Sequence, residues 1–285
     1  MVLAALVLII VTSFAQIQAI VMTAFFISHG APTLAIEPGE TGKLLAELGA
    51  SLPRPSAILV ASAHWNTQLP TISTCKKPET IHDFGGFPKQ MYEIQYPANG
   101  APAMAVKAAD LLIHAGINAR LDVARGLDHG AWVPLMLMYP QANIPVAQIS
   151  IQSEQSPQVH FALGQALSDL QADNVMLIAS GSATHNLHDF FSPQRDAKTL
   201  DYVPQFANWL AERIEKSDHA ALFDYRNQNQ FAVRAHPTED HILPLFVALG
   251  WANGSRNKQA VNKPVKRYTP ENTYGILAMD IYHWH

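Results

Sequence analysis

Three short apolar runs in this chain each run out into a histidine, and that pattern restricts both the fold and the chemistry. They are Phe25-Phe26-Ile27-Ser28-His29, Ile58-Leu59-Val60-Ala61-Ser62-Ala63-His64, and Met176-Leu177-Ile178-Ala179-Ser180-Gly181-Ser182-Ala183-Thr184-His185. Short apolar runs without polar alternation read as strands buried on both faces, which is the pattern of a sheet covered by helices. Open α/β sheets bind ligands beyond the carboxyl ends of their strands. Two further histidines follow turn or helix signals, His129 in Asp128-His129-Gly130 and His241 in His236-Pro237-Thr238-Glu239-Asp240-His241. Imidazole is the commonest protein ligand of zinc, iron and copper and moves protons near neutral pH. Taken singly, each of these residues is more readily a hydrogen-bonded structural histidine; recurrence at strand ends is what argues for a metal site. His82, His114, His160, His188, His219, His283 and His285 lack that context and read as surface or core residues.

The chain has 285 residues and a net charge of -4, with Lys and Arg scattered rather than striped, which argues against a nucleic-acid partner. Its length allows one α/β domain with a large core, and no Gly/Ser linker divides it. The single cysteine, Cys75, excludes internal disulfides and cysteine-based metal sites and leaves His, Asp and Glu as ligands. Residues 1–21 are an apolar extension that lacks the basic start of a signal peptide and is interrupted by Thr12, Ser13, Gln16 and Gln18. Met22 stands directly before the first strand, so the expectation is a start at Met22, a catalytic region over 22–285, no membrane association and a cytoplasmic location. If residues 1–21 served as a signal, the protein would be exported.

Strand-like runs at 24–27, 57–61, 146–151 and 175–180 alternate with helix-like stretches at 101–115, 156–171 and 201–215. This predicts an α/β sheet flanked by helices on both faces, closed by a last strand around 274–282. Residues 75–100 are rich in turn formers and aromatics and read as an ordered loop near the site, with Phe84 and Tyr92 as candidates to stack on a bound ring. Residues 251–271 read as a solvated surface excursion.

If His29, His64 and His241 bind one divalent ion, three neutral donors leave positions open for water, substrate or dioxygen, as in catalytic rather than structural sites. Glu239 and Asp240 are close enough in sequence to replace His241 as ligand or to orient it. His129 and His185 would then act as acid, base or substrate clamp. Zinc-assisted hydrolysis at the same histidines is a second reading, and a metal-binding interaction protein a third.

Six segments in order resemble the 4,5-DOPA extradiol dioxygenase family, related to the protocatechuate 4,5-dioxygenase catalytic subunit. They are Ser28-His29-Gly30-Ala31-Pro32, Ser62-Ala63-His64-Trp65, Ile81-His82-Asp83-Phe84-Gly85-Gly86-Phe87-Pro88, Gly126-Leu127-Asp128-His129-Gly130-Ala131-Trp132, Gly181-Ser182-Ala183-Thr184-His185-Asn186-Leu187 and His236-Pro237-Thr238-Glu239-Asp240-His241. The resemblance implies a mixed α/β sheet, one iron(II) or zinc ion, and cleavage of a catechol beside its two hydroxyls with O2. By position it implies His29, His64 and His241 as metal ligands, with a glutamate as third ligand in the protocatechuate branch. It implies His185 as acid/base group or fourth ligand, and His129 as a residue of the substrate pocket.

Overall fold

Residues along each apolar run point alternately to opposite sides, and in this chain both sides are covered. The computed structural model describes residues 24–191, 199–254 and 264–285. The expected start at Met22 and the character of residues 1–21 lie outside these. Eight strands form one sheet: β1 (Ala24–Ser28), β2 (Ala57–Asn66), β3 (Thr71–Ser73), β4 (Arg120–Asp122), β5 (Val146–Ile151), β6 (Val175–Gly181), β7 (Val265–Tyr268) and β8 (Ile281–Trp284). Their order is β4-β3-β5-β2-β6-β1-β8-β7. The centre, β5-β2-β6-β1, is parallel, whereas β3 meets β5 and β8 meets β1 in antiparallel sense. The mixed α/β sheet is therefore present, and β6 lies between the two strands that end near His29 and His64.

Phe26, Leu59, Ala61, Leu177 and Ala179 face one apolar layer, built with helices Pro102–His114, Pro157–Leu167, Tyr202–Glu215 and Leu243–Asn253. Phe25, Ile27, Ile58, Val60, Met176 and Ile178 face the other, built with helices Gly39–Ser51 and His129–Met138. This two-sided burial is why the central strands carry no polar alternation. Helix Leu243–Asn253 is buried from Leu243 through Ala252, because it lies between the sheet and helix Pro157–Leu167. These two helices approach so closely that a Cβ at Gly250 would lie 1.9 Å from the Phe161 carbonyl oxygen, and one at Gly164 would lie 2.0 Å from that of Val247.

Three sequence readings change. The final strand covers only Ile281–Trp284, because Thr273 to Leu277 close a turn, with the Leu277 N–H donating to the Thr273 carbonyl at 3.1 Å. The span 251–271 is not one surface excursion: Trp251 is buried in helix Leu243–Asn253, and Val265–Tyr268 is edge strand β7, while residues 255–263 lie outside those described. The short strands β3 and β4 escaped notice because three residues show no periodicity. No helix among the described residues is long and apolar enough to cross a membrane.

Because the helix contact leaves no room for a methyl group, Gly250→Ala is expected to destabilise the protein by about 1–3 kcal/mol, the usual cost of overpacking. The check is the urea midpoint at unchanged slope. A midpoint equal to wild type would show that the two helices slide apart freely.

Candidate metal centre and active-site cavity

The carboxyl ends of the central strands deliver the histidines, and buried polar partners aim them. His29 follows β1, and its backbone N–H donates to the Gly181 carbonyl at 3.0 Å. His64 lies near the end of β2, where pairing with β6 has stopped and the register to β5 shifts between Ser62 and Asn66. Such an irregularity re-aims side chains. His241 sits in the turn before helix Leu243–Asn253, its carbonyl accepting from the Ser182 N–H at 2.8 Å. The Nε2 of His64 is 3.0 Å from that of His29 and 3.3 Å from that of His241.

The opposite ring nitrogens explain why these three Nε2 atoms meet. Ser180 donates its single hydroxyl proton to the Gly130 carbonyl, so its oxygen accepts from His29 Nδ1–H at 2.9 Å. The Asp240 carboxylate can only accept, so His241 Nδ1 also carries the proton. His64 Nδ1 faces Asp83 Oδ2 at 3.5 Å. With Nδ1 protonated, the Nε2 atoms of His29 and His241 present lone pairs to that of His64, an arrangement that a shared cation relieves. Two nitrogens each about 2.1 Å from one ion are separated by about 3.0–3.4 Å between right-angled and tetrahedral geometry, so the His64–His29 and His64–His241 separations both suit a first-row divalent metal. Orienting each ring through its other nitrogen is the usual support of a histidine ligand.

Electrostatics favours the same state. Burial first, then the neighbouring imidazoles, hold His29 well below 6.5. Burial followed by His129 brings His64 down to about 4. Burial and His185 hold His241 low against the pull of Asp240. The rings are thus neutral at neutral pH, the form that binds metal.

Around this centre stand the two other predicted histidines. His185 stacks on His241 with ring centroids 3.5 Å apart and planes 5° from parallel. Burial lowers its pKa, partly countered by Asp240. His129 opens helix His129–Met138, whose first turn is capped by Asp128 accepting from the Ala131 N–H at 3.2 Å. Asp128 is completely buried and also accepts from Ser62 at 2.6 Å, Gln148 at 2.7 Å and Arg125 at 2.8 Å. It therefore ties β2, β5 and the His129 helix together. His129 sends both its backbone N–H and Nδ1 to Asp83 Oδ1, each at 2.9 Å.

Above the histidines opens a cavity of about 460 Å³, with all five rings at its base and with walls that include Pro32, Phe84, Phe87, Leu187, Phe190, Phe191 and Tyr274. Phe84 meets the His129 ring edge-on at 5.7 Å. Tyr92 stands behind Phe84, 5.3 Å away and 38% exposed, and is not among the cavity residues. Glu239 pairs with Arg226 at 3.6 Å, apart from the three nitrogens. Neither Lys89 nor Arg125 lines the cavity: Lys89 pairs with Glu93, and Arg125 with Asp128. Sequence reasoning did not single out Asp83, Ser180 or the wall residues Leu187, Phe190, Phe191 and Tyr274. Asp83 carried a weak signal as the one carboxylate inside Ile81-His82-Asp83-Phe84.

Residues 23–276 match the family described as the catalytic LigB subunit of aromatic ring-opening dioxygenase. The chain belongs to this family. It is accordingly an extradiol ring-cleavage dioxygenase, the class named for its relatives. A relative from Beta vulgaris named "4,5-DOPA dioxygenase extradiol" is 39% identical over 242 residues, 84% of this chain and 90% of the relative. One of the same name from Escherichia coli (strain K12) is 39% identical over 240 residues, 82% of this chain and 86% of the relative. A solved structure titled "Crystal structure of uncharacterized protein JW3007 from Escherichia coli K12" superposes with a TM-score of 0.75 at 30% identity, covering 93% of this chain and all of that one.

The depressed histidines make the metal-free protein acid-sensitive. Above pH 6.5 these rings are neutral whether the chain is folded or unfolded. Between 6.5 and about 4 the unfolded chain binds protons that folded His64 and the buried His160, also lowered to about 4, refuse. Stability should therefore fall as the pH drops through that window. Urea midpoints at pH 7, 5.5 and 4.5 test this, and a flat profile would contradict it.

Proposed function

We propose that this dioxygenase opens a catechol ring beside its hydroxyls, with His29, His64 and His241 holding a single iron(II) ion and with His185 and His129 handling protons. The observation that carries this reading is the meeting of three Nε2 atoms at the base of an aromatic-walled cavity. Iron(II), when bound, supplies the electron transfer that activates dioxygen, which zinc lacks.

The chain's own groups do the rest. Phe84 and Phe87 form one wall and Phe190 and Phe191 another, so a flat ring is held by apolar contact and kept from bulk water. His185, flat against His241, stands beside the ligand cluster, where a diol hydroxyl would lose its proton. Its lowered pKa leaves it unprotonated at neutral pH and ready to accept that proton. His129 borders the same space from the other side, its ring centroid 3.9 Å from that of His64, and can return a proton as the ring opens. Several relatives are named for 4,5-DOPA, so a DOPA-like catechol is the first substrate to try.

His64→Ala is expected to abolish metal retention. His185→Ala should keep the metal and lose turnover by roughly 10²–10⁴-fold, the usual size of a lost acid/base group. Metal analysis and oxygen uptake on both variants decide, and equal metal loss would make His185 a ligand. Loading metal-free protein anaerobically with iron(II) or zinc, then adding L-DOPA, catechol or protocatechuate, tests the reaction itself. A yellow ring-opened product should form with iron(II) only, and silence with iron(II) across the panel would favour zinc-assisted hydrolysis.

A further inference from the structure

One carboxylate at the site makes no direct approach to the three converging nitrogens and still touches two of the five histidines. Asp83 Oδ1 accepts from both the backbone N–H and the ring Nδ1 of His129, each at 2.9 Å, and Asp83 Oδ2 faces His64 Nδ1 at 3.5 Å. The next residue is Phe84, whose ring meets His129 edge-on, so the same turn sets the aromatic wall. Asp83 is only partly exposed, and its Oδ1 is fixed as an acceptor because the His129 backbone N–H can only donate to it. The proton between them therefore belongs to His129 Nδ1, and Nε2 is the nitrogen left for the substrate. Among the described residues no hydrogen bond orients the His185 ring in this way: it lies against the face of His241, and its backbone N–H goes to the Ala235 carbonyl.

We propose that Asp83 is a positioning residue, one oxygen fixing the ring and tautomer of His129 over the cavity and the other orienting His64 from behind. The proposal rests on the reading of His129 as a proton-handling group of the dioxygenase. It predicts that Asp83 affects turnover through His129 and metal binding through His64, two effects that separate by experiment.

The test compares wild type, Asp83→Ala, His129→Ala and the double variant by three measurements. Isotope-labelled histidine NMR of the metal-free proteins reads the His129 tautomer: wild type should hold Nδ1–H, and Asp83→Ala should lose that preference. Titration with zinc alone should show affinity lowered about 10–100-fold by Asp83→Ala, whether or not His129 is present, as for a lost partner of a metal-binding histidine. With saturating iron(II), Asp83→Ala should lower kcat by about 10²-fold or more in the wild-type background and scarcely at all in the His129→Ala background. A carboxylate that merely braced the loop would slow both backgrounds alike, and that outcome overturns the proposal. A wild-type His129 that carries its proton on Nε2 with Nδ1 bare overturns it as well. If wild type itself fails to turn over any catechol, the dioxygenase reading fails, while the tautomer and zinc affinity still decide the role of Asp83.

Discussion

Five imidazoles gathered at one end of a sheet set the terms for everything around them. Buried polar rings are tolerated only when neutral and hydrogen-bonded, and here burial drives His29, His64 and His241 toward the neutral form. A neutral ring has one donor and one acceptor nitrogen, so whatever engages Nδ1 decides where Nε2 offers its lone pair. Ser180, Asp240 and Asp83 lie behind the rings, and the Nε2 atoms consequently face one another. The candidate metal site is less a set of three residues than two hydrogen-bonded pairs and a third ring backed by a carboxylate at 3.5 Å.

The partners have to be rigid, and the fold provides this through a second polar layer below them. Asp128 joins Ser62 on β2, Gln148 on β5 and the first turn of the His129 helix at a point with no access to solvent. Buried networks of this kind rigidify when every member is satisfied. The same side chain that caps the helix fixes the strand carrying His64, so the groups meeting at the cavity floor are anchored in common. Side chains held on strands and helix starts are placed more accurately than side chains on free loops.

The walls follow the opposite logic. Phe84 and Phe87 come from the long connection after β3, Leu187 to Phe191 from the segment after β6, and Tyr274 from the turn before β8. Connections tolerate variation that strands do not. Changes confined to these connections can therefore alter what the cavity admits and leave the histidine floor in place. In this chain the walls are largely apolar, which suits a planar ring held by dispersion and by exclusion of water.

By itself the sequence determined the strands of the central sheet, the presence of helices on both faces and the five histidines, because two-sided burial leaves an uninterrupted apolar run and strand ends are where such sheets hold ligands. It missed β3, β4 and β7, whose three or four residues are shaped by their neighbours rather than by any period of their own. It placed Tyr92 beside the ring pocket although Phe84 stands between, since adjacency along a loop carries no information about which side faces the cavity. It left Glu239 and His241 as rival ligands. The tertiary structure pairs Glu239 with Arg226 and turns the His241 ring toward the Nε2 of His64. The partners of each Nδ1 were equally hidden, because Ser180 stands 151 positions from His29 and Asp83 stands 46 from His129. Which hydrogen bond a buried ring makes is settled when distant strands come into register, and no local pattern records it.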